Sequence, residues 1–283
     1  MDASSYYNNF DCGRFSLDMR EPKVMGILNV TPDSFSDGGN LSSVQSAVRL
    51  AEKMVKCGAD IIDVGGESTR PGAKSVSAYE EWSRLGPVLK QLVKLNVPVS
   101  VDTMKPTVMM KACDVGVDII NDVSGFNSPE ALDFVKEVKS TDVGFCIMHM
   151  QGNPETMQNS PRYGDVVTEV EFFLKNKVLE FNNIGVEKTR ILVDPGFGFG
   201  KTSMHNLSLL KGLKKFSRIS WLLVGLSRKR LISEICKSQT KPSDRLGGSL
   251  AMASWALARG ASIVRVHDVC ETVEMIRVLK ELN

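Results

Sequence analysis

Short apolar runs recur along this chain, each ending in a polar residue or glycine. They are separated by longer stretches whose apolar positions return every three or four residues. The short runs predict strands near residues 24–29, 60–65, 97–102, 117–121, 143–148, 190–194, 220–225 and 262–266. The longer stretches predict helices. Ser42 to Cys57 places Val44, Val48, Leu50, Ala51 and Val55 on one face, with Gly58 as a C-terminal stop. Ser77 to Leu95 opens Ser-Ala-Tyr-Glu, a capping-box signature. Helical patterns also cover 105–115, 129–139, 166–183, 206–216, 228–237, 250–259 and 271–282. Gly116, Gly185 and Gly260 stand just past helix ends, where a left-handed residue is wanted.

Eight strands alternating with helices predict a parallel sheet. Runs such as 60–65 and 220–225 are apolar throughout, as strands covered on both faces are. The expected fold is a single-domain (β/α)8 TIM barrel over residues 23–283; an open doubly wound sheet is the alternative. Residues 1–22 form an N-terminal extension. Within it, 13–23 alternate apolar and polar and predict a small hairpin plugging the N-terminal end of the barrel, while the first dozen residues read as dispensable.

Composition changes this picture little. The 283 residues are 42% hydrophobic and 24% charged, which is ordinary for a globular protein and enough for a large core. A net charge of +2 and scattered basic residues argue against a nucleic-acid partner. The six cysteines are far apart and none is at C-x-x-C spacing, so zinc ribbons and a disulfide framework are not expected. Several lie in apolar stretches and read as small core residues, and the low cysteine use suggests a reducing compartment. The N-terminus lacks the pattern of a signal peptide, and the longest apolar run is too short to cross a bilayer. The expectation is a cytoplasmic protein with no membrane contact.

A TIM barrel assembles its site from the C-terminal ends of several strands, so the residues there are the candidates. Asn29 precedes a Gly/Pro/Ser/Asp-rich loop that is either a plain connection or a mobile lid; its amide can bind a hard cation or a phosphate, or cap the turn. Asp63, Asp102, Asn121 and Asp194 close apolar strands, and a carboxylate there must be paired or hydrogen-bonded. As a set they suit a ligand rich in N–H donors; singly, each can pair with a local base or cap a helix. Arg70, with Thr69 and Pro71, suits an anion or is a solvated surface charge. Phe197 and Phe199 lie among glycines and read as walls for an aromatic ligand. Ser227, Arg228 and Lys229 follow the seventh strand, and Arg265 and His267 close the eighth, where barrels often hold phosphate. Three histidines in all argue against a His-rich metal site.

Five segments together resemble the dihydropteroate synthase family. They are Met25-Gly-Ile-Leu-Asn-Val-Thr-Pro-Asp-Ser-Phe-Ser-Asp-Gly-Gly39, Asp63-Val-Gly-Gly-Glu-Ser-Thr-Arg-Pro-Gly72, Asp194-Pro-Gly-Phe-Gly-Phe-Gly-Lys201, Ser227-Arg-Lys229 and Arg265-Val-His267. The resemblance runs from about residue 23 to the end. Met104 and Gly247 depart from it, standing where more polar residues are expected.

The resemblance implies a transferase joining (7,8-dihydropterin-6-yl)methyl diphosphate to 4-aminobenzoate, with sulfonamides competing at the aminobenzoate subsite. It implies that Asp102, Asn121, Asp194 and Lys229 hold the pterin. Asn29, Arg70, Arg265 and His267 would hold the diphosphate, with Mg2+ on Asn29. Thr69, Pro71, Phe199 and Ser227 would border the aminobenzoate, with Phe35 closing over it. Arg70, Lys229, Arg265 and His267 would carry the catalysis, and the chain would form a homodimer. Two other functions compete. A pterin-binding barrel serving a methyl-transfer partner would not need the loops at 29–39 and 65–72. An inactive relative would lack Arg70 or Lys229, and both are present.

Overall fold

The structure, a computed structural model, describes residues 7–31, 40–69 and 72–282. Phe35, Arg70 and Pro71 lie outside the described residues, as does most of the loop at 30–40. Eight strands close a barrel: β3 (Lys23–Asn29), β4 (Ile61–Gly65), β5 (Val99–Asp102), β6 (Ile119–Asp122), β7 (Gly144–Met148), β8 (Ile191–Asp194), β9 (Trp221–Val224) and β10 (Ile263–Val266). Every pair is parallel, and β10 pairs with both β9 and β3 to close the ring. The barrel is the expected one, and each strand starts and ends within about two residues of its predicted bounds.

Strand alternation sorts the side chains into two cores. Val24, Leu28, Ile62, Val64, Val99, Val101, Ile120, Phe145, Ile147 and Val193 face outward and join the cluster under the helices. Met25, Ile61, Ile119, Cys146, Leu192, Leu223 and Ile263 fill the barrel's lower interior. The same alternation carries Asn29, Asp63, Asp102, Asn121, Asp194 and Arg265 inward, above that apolar plug. A one-residue slip of any strand would reverse this.

The plug is completed by a hairpin. β1 (Asn9–Cys12) pairs antiparallel with β2 (Phe15–Asp18) across Gly13, whose φ of +52° suits the tight turn. The hairpin therefore lies nearer the N-terminus than expected, because the turn uses Gly13-Arg14 and not the polar residues at 20–23. The described part of the first dozen residues belongs to the plug's core. Phe10 and Cys12 are wholly buried against Met25, Ile61 and Ile263. Arg14 holds Asp118 with Nε at 3.0 Å and Nη2 at 2.9 Å, and donates Nη1 to Val93 O at 2.6 Å.

The helices cover the outer face, beginning with α1 (Asn40–Cys57), α2 (Ala78–Leu92) and α3 (Pro106–Asp114). Ser77 Oγ accepts from Glu80 N at the start of α2, as the capping signature predicts. In α1 the buried stripe is Ala47, Ala51 and Met54, flanked by Val44, Val48 and Val55, and Leu50 is exposed. Leu50 falls two residues from Val48, off the i, i+4, i+7 line that faces the sheet. Farther along come α4 (Pro129–Val138), α5 (Val166–Ile184), α6 (Ser203–Lys211), α7 (Leu213–Phe216), α8 (Arg230–Ile235), α9 (Leu246–Leu257) and α10 (Val269–Leu282). The pattern at 206–216 is thus two helices, broken at Gly212.

One cysteine expectation is corrected. Cys57, at the end of α1, is disulfide-bonded to Cys270 in α10 across 213 residues of sequence. Barrel closure makes the first and last helices neighbours, so no sequence spacing announces this pair. Cys12 and Cys146 are buried, as expected of core residues, whereas Cys236 is exposed. Among the described residues no helix is long and apolar enough to cross a membrane.

Candidate active site

The polar interior sits at the C-terminal mouth of the barrel. Asp102, Asn121 and Asp194 are at or beside the last residues of β5, β6 and β8, and Asn29 is the last residue of β3. Cross-strand register aligns Asn29 with Gly65, Gly65 with Asp102, and Asp102 with Asn121. A Cβ at Gly65 would stand 3.5 Å from Asn29 Oδ1 and 3.8 Å from Asp102 Cβ, which places these groups side by side at the mouth.

Arg265 on β10 reaches across the barrel. Its Nε donates to Asp63 Oδ2 at 2.6 Å and its Nη2 to Asp102 Oδ2 at 3.0 Å. Burial works against the guanidinium charge, yet the two carboxylates outweigh it and hold its pKa above the usual value. Asn121 Nδ2 faces the Asp63 carboxylate at 3.4 Å, a long contact. Asp102 is only partly satisfied. Its Oδ1 is buried with no hydrogen-bond partner among the described residues. Burial, eased by Arg265 and aggravated by Asp63, pushes its pKa up to about 7. A lone buried acceptor costs about 1–3 kcal/mol, so this oxygen is open to a donor that the described residues do not supply.

Asp194 accepts from Gly196 N at 2.7 Å, and burial raises its pKa against that bond and the charge of Lys229. Lys229 precedes α8 and lays its Nζ 4.5 Å from the Phe199 ring centroid. Burial lowers its pKa to about 8, opposed by Asp194. A cation over a ring face is attracted by the ring's quadrupole. Gly198, with φ +80°, gives the amine space, since a Cβ there would lie 3.7 Å from Nζ. Arg228 braces the turn: it donates to Asp268 through Nε at 3.0 Å, and its backbone N–H reaches Ser249 Oγ at 2.9 Å.

His267 closes the ring. Ser227 Oγ accepts from His267 N at 3.2 Å and lies 3.1 Å from His267 Nδ1. Burial, helped by Arg228 and Arg265, lowers the imidazole pKa to about 4, so it is neutral at pH 7. In the tautomer that keeps its proton on Nε2, Nδ1 accepts from Ser227 Oγ–H and Nε2–H is a donor. His267 thus offers a hydrogen bond and not a full charge.

The structure brings together Asn29, Asp102, Asn121, Asp194, Phe199, Ser227, Lys229, Arg265 and His267. Thr69 lies in the loop after β4 and is half-buried. That loop is anchored by Glu67, which accepts from Val76 N and pairs with Lys105, itself 2.7 Å from buried Glu81. Of the two loop aromatics, only Phe199 is a wall. Phe197 is buried in the core under the helices, because Gly198, at φ +80°, breaks the alternation that would put residues i and i+2 on one side.

Several contributors escape sequence reading. Asp63 is placed by its strand, but its bond to Arg265 spans 202 residues. Met148, Met150, Met157 and Val123 form an apolar cluster with Met104 and Phe199 beside the mouth. No local pattern marks these methionines; only their place after strands β5 to β7 would have found them. Lys201 is almost completely buried beneath the mouth.

Residues 25–267 match the family of pterin binding enzymes. The chain is 50% identical over 267 residues to the dihydropteroate synthase of Escherichia coli strain K12, covering 94% of this chain and 93% of that one. Its structure is similar to Burkholderia cenocepacia dihydropteroate synthase complexed with 7,8-dihydropteroate, with a TM-score of 0.88 and 44% identity over 97% of this chain and 96% of that one. It is also similar to a Yersinia pestis dihydropteroate synthase in a sulfonamide drug complex, with a TM-score of 0.89 and 41% identity over 97% and 98% of the two chains.

Proposed function

This chain belongs to the dihydropteroate synthase family of pterin binding enzymes and is a transferase, and from that premise we propose that it condenses (7,8-dihydropterin-6-yl)methyl diphosphate with 4-aminobenzoate to 7,8-dihydropteroate and diphosphate. The observation that carries the reading is the buried Asp102 Oδ1, without a hydrogen-bond partner among the described residues, in a mouth that also holds Asn121, Asp194 and Lys229. A pterin ring presents a 2-amino group and ring N–H donors, which is what such acceptors lack.

In this reading the pterin lies against Asp102, Asn121 and Asp194, under the methionine cluster and beside Lys229. Arg265, Arg70 and the Nε2–H of His267 face the diphosphate. Thr69, Pro71, Phe199, Ser227 and Phe35 border the aminobenzoate. The bond from the exocyclic CH2 to the diphosphate oxygen breaks, and its electron pair leaves with the diphosphate. The electron-rich pterin stabilises the cation. The amine of 4-aminobenzoate, neutral at pH 7, attacks the CH2 and then loses a proton. Catalysis rests on positioning and on stabilising the leaving charge, with no covalent enzyme intermediate. Loops closing over the mouth would keep water from the cation.

Mg2+ fits the donors present. Among the described residues no group of three His, Cys, Asp or Glu side chains could hold a metal. Mg2+ commonly uses one or two protein oxygens with phosphate and water, and Asn29 Oδ1 is such an oxygen at the mouth. When bound there, it would neutralise charge on the departing diphosphate.

We also propose a homodimer, checked by sedimentation at micromolar concentration, where a monomeric mass would reject it. Cytoplasmic residence is proposed too. The main test is pyrophosphate release from the two substrates and Mg2+, with and without a sulfonamide. Aminobenzoate-dependent release that the drug inhibits supports the assignment; no release, with pterin still bound, would reject it.

A further inference from the structure

A loop residue can wall a subsite only as firmly as its own backbone is held. Phe199 sits on the Gly-rich turn after β8, and that turn packs on the end of β7 backbone to backbone. A Cβ on Gly196 would fall 1.9 Å from His149 O, and one on Gly200 would fall 2.5 Å from Gln151 O. No side chain fits in the seam, so something else must lock it.

Lys201 does so. Its side chain is 3% exposed, and its Nζ lies 2.9 Å from His149 Nδ1, 3.1 Å from His149 O and 3.0 Å from Phe199 O. Burial, opposed by Asp194, lowers the Lys201 pKa to about 7; its ammonium form has three N–H donors and no acceptor, and here it meets three acceptors. The match requires a neutral His149 with its Nδ1 lone pair free. Burial, together with the charge of Lys201, lowers the His149 pKa to about 3 and so keeps it neutral. None of the three acceptors is a carboxylate, so the amine is held by geometry and not by an ion pair.

Resting on the proposed transferase function, we infer that Lys201 is a positioning residue for the aminobenzoate subsite: it clamps Phe199 O to the end of β7 and so fixes the Phe199 ring against Lys229. A lysine that merely stabilised the barrel could grip any carbonyl. This one grips the carbonyl of the residue that walls the subsite, and its other two bonds go to the neighbouring strand end.

The test is a double-mutant cycle with Lys201→Met and Phe199→Ala, read as KM for 4-aminobenzoate at saturating pterin diphosphate. Removing the donors leaves three acceptors unpaired, and KM in Lys201→Met is expected to rise roughly tenfold with kcat held within about threefold. Phe199→Ala should raise KM by a similar factor, and the double variant should be no worse than Phe199→Ala alone, because Lys201 acts through that ring. His149→Ala, which removes one acceptor and leaves the lysine, should raise KM by a smaller factor and lose its effect in the Phe199→Ala background. It stands in if Lys201→Met fails to fold. A wild-type KM in both Lys201→Met and His149→Ala overturns the inference, and so do effects that multiply in the double variants. A wild-type protein that releases no pyrophosphate rejects the transferase reading itself, before any variant is compared.

Discussion

Replacing Asp102 by Asn preserves size and one oxygen but removes the charge. In the wild type, Oδ2 accepts Arg265 Nη2 at 3.0 Å and Oδ1 is buried without a partner among the described residues. The amide can still offer an oxygen to Arg265, which also keeps Asp63 at 2.6 Å. The fold should therefore hold, with Tm within about 3 °C of wild type, the size of roughly 1 kcal/mol in a chain of this length. The ligand side loses more. A hydrogen bond to a charged group contributes about 1.5–3 kcal/mol, so affinity for 6-hydroxymethyl-7,8-dihydropterin should fall about tenfold to a hundredfold by calorimetry. A pH series gives an independent signature. The free-enzyme carboxyl has its pKa raised to about 7, and only its ionised form accepts. Wild-type affinity should be full above about pH 8 and fall roughly tenfold per unit below about pH 7. Stability runs the other way. The folded protein holds this proton more tightly than the unfolded chain, so the Asp102 contribution to stability improves as pH falls from about 8 toward 5. The Asp102→Asn variant should show neither slope. Affinity within threefold of wild type, or an unchanged pH slope in the variant, would refute the assignment of Oδ1 as the pterin acceptor.

Lys229→Ala should cut turnover by at least about a hundredfold while circular dichroism stays unchanged, since its amine is buried at the mouth beside Asp194 and Phe199; wild-type turnover would remove it from the catalytic set. Phe10→Ala should lower Tm by about 6–15 °C, because a buried Phe→Ala change costs about 3–5 kcal/mol and Phe10 is fully buried in the barrel plug; an unchanged Tm would restore the view that the N-terminus is dispensable. Thiol titration of protein denatured without reductant should find four free cysteines, namely Cys12, Cys113, Cys146 and Cys236, and six after reduction; six before reduction would mean that Cys57 and Cys270 are not bonded.

The order of elements and the location of the site were legible in the chain for one physical reason. A parallel strand covered on both faces must be apolar along its length, so the first polar residue marks where it emerges. Asp102 and Asp194 stand at those points, as do Asn29 and Asn121, and the structure carries all four to one mouth. The helices were legible from their 3.6-residue period, although Leu50 shows that composition in the right region is not the same as phase. Local patterns could not give what closure of the ring creates. Arg265 meets Asp63 and Asp102 from 202 and 163 residues away, and Cys57 meets Cys270 from 213. The hairpin's Phe10 becomes core only when a barrel floor exists to receive it. Phe197 and Phe199, alike in sequence, are divided by a turn that sends one into the core and the other to the mouth. Lys201 gains its partners only when β7 and β8 bring three acceptors around its amine. Sequence periodicity acts over a few residues and so set the elements and their polar ends. Pairing, burial and the resulting charge states depend on contacts across the closed barrel, which only the tertiary structure decided.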